Sequence, residues 1–172
     1  MTAATYSARE QLRDGRPIDI RALHPKDEAE MLAAIDRTNP ESLRRRFFAP
    51  KRGFSEKEKA FFMNIDFINH VALIAEIDED GRPAIIGGGR YIVTEPGAAE
   101  VAFVVVDAYQ RQGIGALLTR HLMKLARAAG LKELAAEVLP ENAAMLKVLD
   151  KSGFRRGRSS DPQVVHLTLS LS

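Results

Sequence analysis

The chain has 172 residues, of which 45% are hydrophobic and 28% charged, and its formal net charge is only +2. This length and composition predict one globular domain, and the small net charge gives no indication of a nucleic-acid partner. The absence of cysteine excludes disulfides, thiolate nucleophiles and cysteine-ligated zinc, and is typical of a cytoplasmic protein. No apolar run approaches the roughly 20 residues that span a bilayer, so no membrane partner is expected.

The first half of the chain predicts strands and helices in alternation. Residues 1–16 are polar and lack a signal-peptide core, so we interpret them as a mobile or peripheral tail before a domain over 17–172, with a docked helix as the alternative. Asp80 and Gly81 form the turn of a hairpin, and Ser55 with Glu58 has the spacing of a capping box. The predicted elements are a strand over 17–23, helices over 25–37, 41–48 and 55–64, and strands over 71–77 and 85–93.

The second half predicts strand-helix units that end in two strands. An apolar stripe at helical spacing marks a helix over 113–129, which Gly130 ends. The other elements are a helix over 141–152 and strands over 99–106, 133–139, 154–158 and 164–171. This order predicts an α/β or α+β domain in which helices flank a mixed, mostly antiparallel sheet of about seven strands.

The most informative stretch covers residues 101–116, with the sequence VAFVVVDAYQRQGIGA. Its unbroken apolar run predicts a central strand covered on both faces. Gln110, Gly113 and Gly115 then open the helix, where unpaired N–H groups and the helix dipole favour an anion such as a pyrophosphate. The alternative is a tight strand-to-helix turn that merely requires glycine.

These residues, together with EVLPENAAMLKVLDKSGF downstream, resemble the GNAT superfamily of acyl-CoA-dependent N-acetyltransferases. The resemblance covers residues 18–171. ESLRRRFFAPKRGFSEKE and NHVALIA are similar to the catalytic domain of the bacterial Pat-type protein lysine acetyltransferases. The cyclic-nucleotide-binding domain that some of those enzymes carry is not present in these residues.

The resemblance implies a binding site for acetyl-CoA between two splayed parallel strands. Backbone groups of Val104, Val105 and Val106 would pair with the pantetheine arm, and Asn142 would contact the cofactor from the next helix. The pyrophosphate would lie against backbone N–H groups of Arg111, Gln112, Gly113, Ile114, Gly115 and Ala116.

Glu100 is the candidate catalytic residue. Lysine has a pKa of about 10.4, so a base must take a proton before its amine attacks a thioester. In similar enzymes the glutamate at this motif position is the general base, and the alternative is a solvated carboxylate at a strand end. The tyrosine that many members use as the general acid is replaced by Leu149, which leaves Tyr109 and Tyr91 as unsupported candidates.

Other features carry weaker indications. Gly87, Gly88 and Gly89 predict a bulge or a close backbone contact, and the four histidines lack metal-ligand spacing, so no metal is expected. His70 opens a strand, where a structural role is favoured. Five phenylalanines are expected in the core: Phe47, Phe48, Phe61, Phe62 and Phe67. A basic segment is either a substrate lip or a solvated helix face: Arg44, Arg45, Arg46, Lys51, Arg52, Lys57 and Lys59.

Three functions remain open on this basis. The first is transfer of acetyl from acetyl-CoA to a protein lysine by direct attack in a ternary complex. The second is acetylation of a small amine or amino acid. The third is a non-catalytic acyl-CoA sensor, against which Glu100 argues.

Overall fold

The computed structural model describes residues 3–37, 56–158 and 161–171. Its strands are β1 (Ser7–Gln11), β2 (Pro17–Ala22), β3 (His70–Glu79), β4 (Arg82–Glu95), β5 (Ala98–Val105), β6 (Glu133–Val138), β7 (Arg155–Arg156) and β8 (Val165–Ser170). Its α-helices are α1 (Glu28–Asp36), α2 (Glu56–Met63), α3 (Ile114–Ala128) and α4 (Ala143–Lys151). The described strands form one mixed sheet in the order β1-β2-β3-β4-β5-β6-β8-β7.

The predicted fold class is confirmed, and the predicted elements that fall in the described ranges are present with ends displaced by a few residues. The hairpin turn at Asp80 and Gly81 has positive φ at both residues, as a tight two-residue turn requires. The predicted helix over 41–48 and the capping residue Ser55 lie outside the described ranges. No described helix is long and apolar enough to cross a membrane.

The N-terminal segment differs from its prediction. Residues 7–11, interpreted as part of a tail, form β1 and pair antiparallel with β2, so the described sheet has eight strands rather than about seven. The strand itself is polar because it lies at the edge of the sheet, where half of its side chains face solvent. Tyr6 and Leu12, both buried, hold its two ends in the core.

The strand pair β5–β6 is parallel, whereas every other paired couple of described strands is antiparallel. β5 pairs with β4 as far as Val105 but with β6 only over 98–100. Beyond Glu100 and its partner Ala135 the two parallel strands diverge. The chain therefore opens a gap in the middle of its own sheet.

Helix α3 covers one face of this sheet. Its predicted apolar stripe is confirmed at Ile114, Leu118, Leu122 and Leu125, all buried, whereas Ala129 is exposed at the C-cap. Two glycines of β4 allow the close approach: a Cβ at Gly89 would lie 2.7 Å from the Phe103 ring, and one at Gly87 would lie 3.2 Å from Ile114. The predicted close contact is thus confirmed, and the bulge lies one residue earlier, at Ile86, which the register skips.

Candidate active site

A cleft occupies the gap where β5 and β6 diverge. Its walls are the two strands, and its floor comes from α4. Most lining side chains are apolar, as expected for a site that accepts a flexible organic chain. The lining residues are Val101, Ala102, Phe103, Ala136, Glu137, Val138, Asn142, Met145 and Leu149.

The strand ladder determines which backbone groups face the cleft. Val106 N donates to Ile86 O at 2.8 Å, and Val104 lies opposite Gly88 in the same register. Because hydrogen-bonded pairs recur at every second residue of an antiparallel ladder, Val104 and Val106 direct their backbone groups towards β4. Phe103 and Val105 direct theirs towards the cleft, and the Gln110 side chain donates to Val105 O at 3.2 Å.

Of the three valines predicted to bind pantetheine, the ladder thus turns only the backbone of Val105 to the cleft. Phe103 joins it, although its side chain is buried under α3. The sequence did not indicate Phe103, because the alternation depends on the pairing register with β4.

Arg111 to Ala116, the residues predicted to hold a pyrophosphate, form the loop into α3. Arg111 has φ 68° and Gly113 has φ 88°, so two left-handed residues flank Gln112. Ile114, Gly115 and Ala116 occupy the first turn of α3, whose N–H groups have no partner within the helix. Among the described residues no side chain caps this end, and the first turn holds no acidic residue. Backbone donors and a left-handed turn of this kind suit an anion.

Asn142 lies at the end of the cleft nearest α4. Its Oδ1 accepts a hydrogen bond from Met145 N at 3.3 Å, so it is the N-cap of α4 and also lines the cleft. The first turn of α4 lies beside that of α3, since a Cβ at Gly115 would be 3.9 Å from Met145 and Val148. The predicted cofactor residues from both motifs are therefore adjacent.

Glu100 occupies the branch point of the two strands. It is the last residue of β5 that pairs with β6, and its other cross-strand partner is Ile92 of β4. Its side chain is exposed. Because side chains alternate along a strand and Phe103 faces α3, Glu100 lies on the opposite face of the sheet. This second face is only half-buried along β5, which corrects the prediction of a strand covered on both faces.

A buried polar pair lies on the same face as Glu100. Arg90 Nη1 lies 2.9 Å from His70 Nε2 and donates to Phe62 O at 3.2 Å, with the guanidinium 4.9 Å from the Phe62 ring centre. Since a guanidinium only donates, Nε2 of His70 is the acceptor and its proton is on Nδ1. Both side chains are buried, which agrees with the structural role favoured for His70. The pair attaches α2 to the sheet.

Neither tyrosine considered as a general acid lies in the cleft. The Tyr109 hydroxyl donates to Glu79, and burial together with that carboxylate raises the pKa of Tyr109. Tyr91 is buried beside Val101, and burial raises its pKa. Leu149, at the position where many relatives have tyrosine, is fully buried and lines the cleft. Among the described lining residues there is no hydroxyl group.

Two large apolar side chains near the start of β3 are exposed. Phe61 is 51% exposed, so its predicted core position is wrong, and Ile68 is 73% exposed. The Phe61 ring centre lies 5.1 Å from that of His70, at the start of β3. Phe62 and Phe67 are half-buried. Phe47, Phe48 and most of the basic segment lie outside the described ranges; Lys57 is described and exposed.

Comparisons with known proteins agree with this geometry. Residues 37–154 match the model of the acetyltransferase (GNAT) family. The chain is 32% identical over 160 residues to Acetyltransferase PA5475 of Pseudomonas aeruginosa, covering 91% of this chain and 86% of that protein. It is 31% identical to Acetyltransferase Pat of Mycolicibacterium smegmatis, of which it spans 43%.

Solved structures show the same architecture. The GNAT domain of Streptomyces lividans PAT has a TM-score of 0.88 with 33% identity, over 95% of this chain and 96% of that one. The structure of yncA from Salmonella typhimurium with its cofactor acetyl-CoA has a TM-score of 0.71 with 18% identity, over 90% of this chain and 94% of that one. The latter likeness concerns the fold alone.

Proposed function

The chain belongs to the GNAT family of acetyltransferases, and from this premise we propose that it transfers acetyl from acetyl-CoA to lysine side chains of proteins. The observation that carries the proposal is the position of Glu100. This exposed carboxylate stands where the strand pair opens, directly before Val101 in the lining of the cleft.

The donor would lie between the two diverging strands. Its pantetheine arm would pair with the backbone of Phe103 and Val105, continuing the sheet where β6 departs. Its pyrophosphate would lie against the N–H groups of Gln112 to Ala116, and Asn142 would border it from α4. Since this binding uses mainly backbone groups, it depends on the strand register and the loop conformation more than on side-chain identity.

Glu100 would act as the general base for the attacking amine. Glu100 directly precedes Val101, the first β5 residue in the lining of the cleft, so the proton of an amine in the cleft would pass to the carboxylate through a bridging water. The exposure of Glu100 supports this role, because an ammonium group arriving from solvent can reach it. A short hydrogen-bonded route then suffices to neutralise the amine.

The reaction would proceed in one complex of donor, acceptor and enzyme. The lysine nitrogen forms a bond to the thioester carbonyl carbon, and a backbone N–H of β5 stabilises the oxyanion. Collapse breaks the carbon–sulfur bond and releases the CoA thiolate. Glu100 has taken the first proton from the ammonium group before the attack, and the second proton passes from the nitrogen to solvent water. A thiol has a pKa near 8.5, so the thiolate leaves and takes its proton from water without a side-chain acid. The replacement of the family tyrosine by Leu149 is consistent with this route.

A protein acceptor is supported by the surface beside Glu100. Phe61 and Ile68 expose apolar area near the first residue of β3, and His70 there lies in one cross-strand row with Ile92 and Glu100. His70 and Glu100, at the two ends of this row, are two strand spacings apart, which is about 10 Å. Large exposed apolar side chains near a catalytic group suit a protein surface better than a small polar amine. Similarity to Pat-type enzymes points the same way.

The test is to incubate the protein with isotopically labelled acetyl-CoA and a cell lysate, and to analyse proteins and metabolites by mass spectrometry. We expect label on protein lysines. Label on small amines alone would contradict the lysine proposal and favour acetylation of a small amine or amino acid. Saturable binding of acetyl-CoA with no transfer to either pool would favour a sensor.

The apolar surface provides a second test. Phe61→Ser and Ile68→Ser should raise KM for acceptor proteins several-fold while transfer to a free lysine analogue is unchanged. Ala60→Ser, at an exposed position on the same helix as Phe61, serves as the matched control. Equal losses with protein and with the small amine would argue against a docking role.

A further inference from the structure

The N-terminal hairpin lies against the loop that leads into α3. The turn between β1 and β2 is closed by hydrogen bonds from Leu12 N to Arg16 O and from Gly15 N to Leu12 O, both 2.9 Å. Arg13 projects from this turn to the loop, where its Nη1 donates to Arg111 O at 3.2 Å. A Cβ built on Gly113 would lie 3.5 Å from Arg13 Nε, so the guanidinium runs alongside the loop backbone.

Arg13 differs from the neighbouring arginines of the hairpin. Arg9 pairs with Asp19 and Arg16 with Asp14. Within the described ranges Arg13 has no carboxylate partner, and its polar contact is the Arg111 carbonyl. Its position is therefore set by the loop rather than by an ion pair within the hairpin.

The contact determines the orientation of one peptide group. The described chain contains no cis peptide bond, so the carbonyl of Arg111 and the N–H of Gln112 point in opposite directions across their shared plane. By holding the carbonyl on the side of the hairpin, Arg13 turns the Gln112 N–H to the other side. Arg111, at φ 68°, is in a conformation that non-glycine residues rarely adopt, so the loop needs such a support.

We propose that Arg13 is a positioning residue of the donor site, which through the Arg111 carbonyl aims the Gln112 N–H at the pyrophosphate of the acyl-CoA. This inference rests on the proposed function, since it takes the loop to hold that pyrophosphate. It makes the N-terminal hairpin part of the donor site, although the hairpin contributes no residue to the cleft itself.

The experiment measures dissociation constants of three probes for the full chain: CoA, dephospho-CoA and pantetheine. Arg13→Ala should weaken CoA and dephospho-CoA binding equally, by roughly two- to tenfold, as expected for the loss of one hydrogen bond. Binding of pantetheine, which has no pyrophosphate, should not change. Arg13→Lys should recover part of the affinity because the ammonium can still donate to the carbonyl, and Arg9→Ala on the same hairpin should behave as wild type.

Three results would overturn the inference. One is an unchanged affinity for CoA in Arg13→Ala, and another is an equal loss for all three probes, which would indicate a structural role. The third is a loss for CoA that dephospho-CoA does not share, which would place the effect at the 3′-phosphate. A wild-type protein that binds none of the probes would instead contradict the proposed function.

Discussion

The two ends of β5 differ in their partners. Over 98–100 the strand is paired on both sides, with β4 and with β6; beyond Glu100 it keeps only β4. The closed end is an ordinary piece of sheet, whereas the open end exposes backbone donors and acceptors to an apolar cleft. The cleft thus arises from the withdrawal of one strand, and the candidate base stands at the boundary between the two ends.

Removing the charge at this boundary should have the largest effect. Glu100→Gln should lower kcat by about 10²- to 10⁴-fold, the range expected for loss of a general base, with the dissociation constant for acetyl-CoA nearly unchanged. Steady-state kinetics and calorimetry measure the two quantities. Glu95→Gln, an exposed carboxylate at the end of β4 and outside the lining of the cleft, is the control. Near-normal turnover of Glu100→Gln would remove the assignment.

The open end, held by β4 alone, should be sensitive to crowding from that strand. Gly89→Ala places a Cβ 2.7 Å from the Phe103 ring and should lower the free energy of unfolding by about 1–3 kcal/mol. At Gly88 the added Cβ meets Leu73 O at an ordinary 3.4 Å, so Gly88→Ala should cost less. Denaturant unfolding of both variants compares them, and equal stabilities would contradict the packing described.

Two glycines with positive φ allow a comparison of the two ends of β5. One lies in the loop beyond the open end, and the other lies in the turn before the closed end. Gly113 has φ 88° and Gly97 has φ 84°. Alanine at either should destabilise the fold by about 1–2 kcal/mol, because both sites impose the same backbone strain. Only Gly113→Ala should weaken acetyl-CoA binding, by several-fold. An equal loss of affinity in Gly97→Ala would mean that the effect is general instability.

A change at His121, away from both ends of β5, should affect stability alone. Burial, with help from Arg120 and Lys124, lowers the pKa of His121, whose ring contacts Tyr6 and Glu10. The unfolded state then binds the proton more readily, so His121 lowers stability as pH falls below about 6.5. His121→Gln should reduce the loss of stability between pH 7.5 and 5.5 in urea titrations. A slope identical to wild type would contradict the contribution of His121.

Much of the fold was predictable because its signals are local. Glycines at helix ends and the turn at Asp80 and Gly81 each reflect the conformation that one residue must adopt. The stripe on α3 reflects the spacing of apolar residues along one helix. β1 escaped prediction because an edge strand has little apolar alternation, and its anchors Tyr6 and Leu12 lie just outside it. Phe61 was assigned to the core from its residue type alone, whereas exposure depends on which helix face meets the sheet.

The local structure of the candidate site was predictable in part for the same reason. The loop over 111–113, the start of α3 and the helix that Asn142 caps are present, since glycine and a helix cap have visible sequence signals, whereas contact of these residues with a cofactor stays a prediction. The sequence did not show which alternate residues of β5 turn their backbone groups to the cleft. Whether Val104 or Val105 does so depends on the pairing register with β4. Arg13 was equally hidden, since it meets the loop only through the folded hairpin.

Residue-resolved amide hydrogen exchange with saturating acetyl-CoA shows whether the donor binds to the backbone of the open end of β5. We expect slower exchange at the N–H groups of Phe103 and Val105 and in the loop before α3. Val104 and Val106, already bonded to β4, should keep the protection of the free protein. Unchanged exchange at Val105, or new protection confined to Val104 and Val106, would contradict donor binding at the open end.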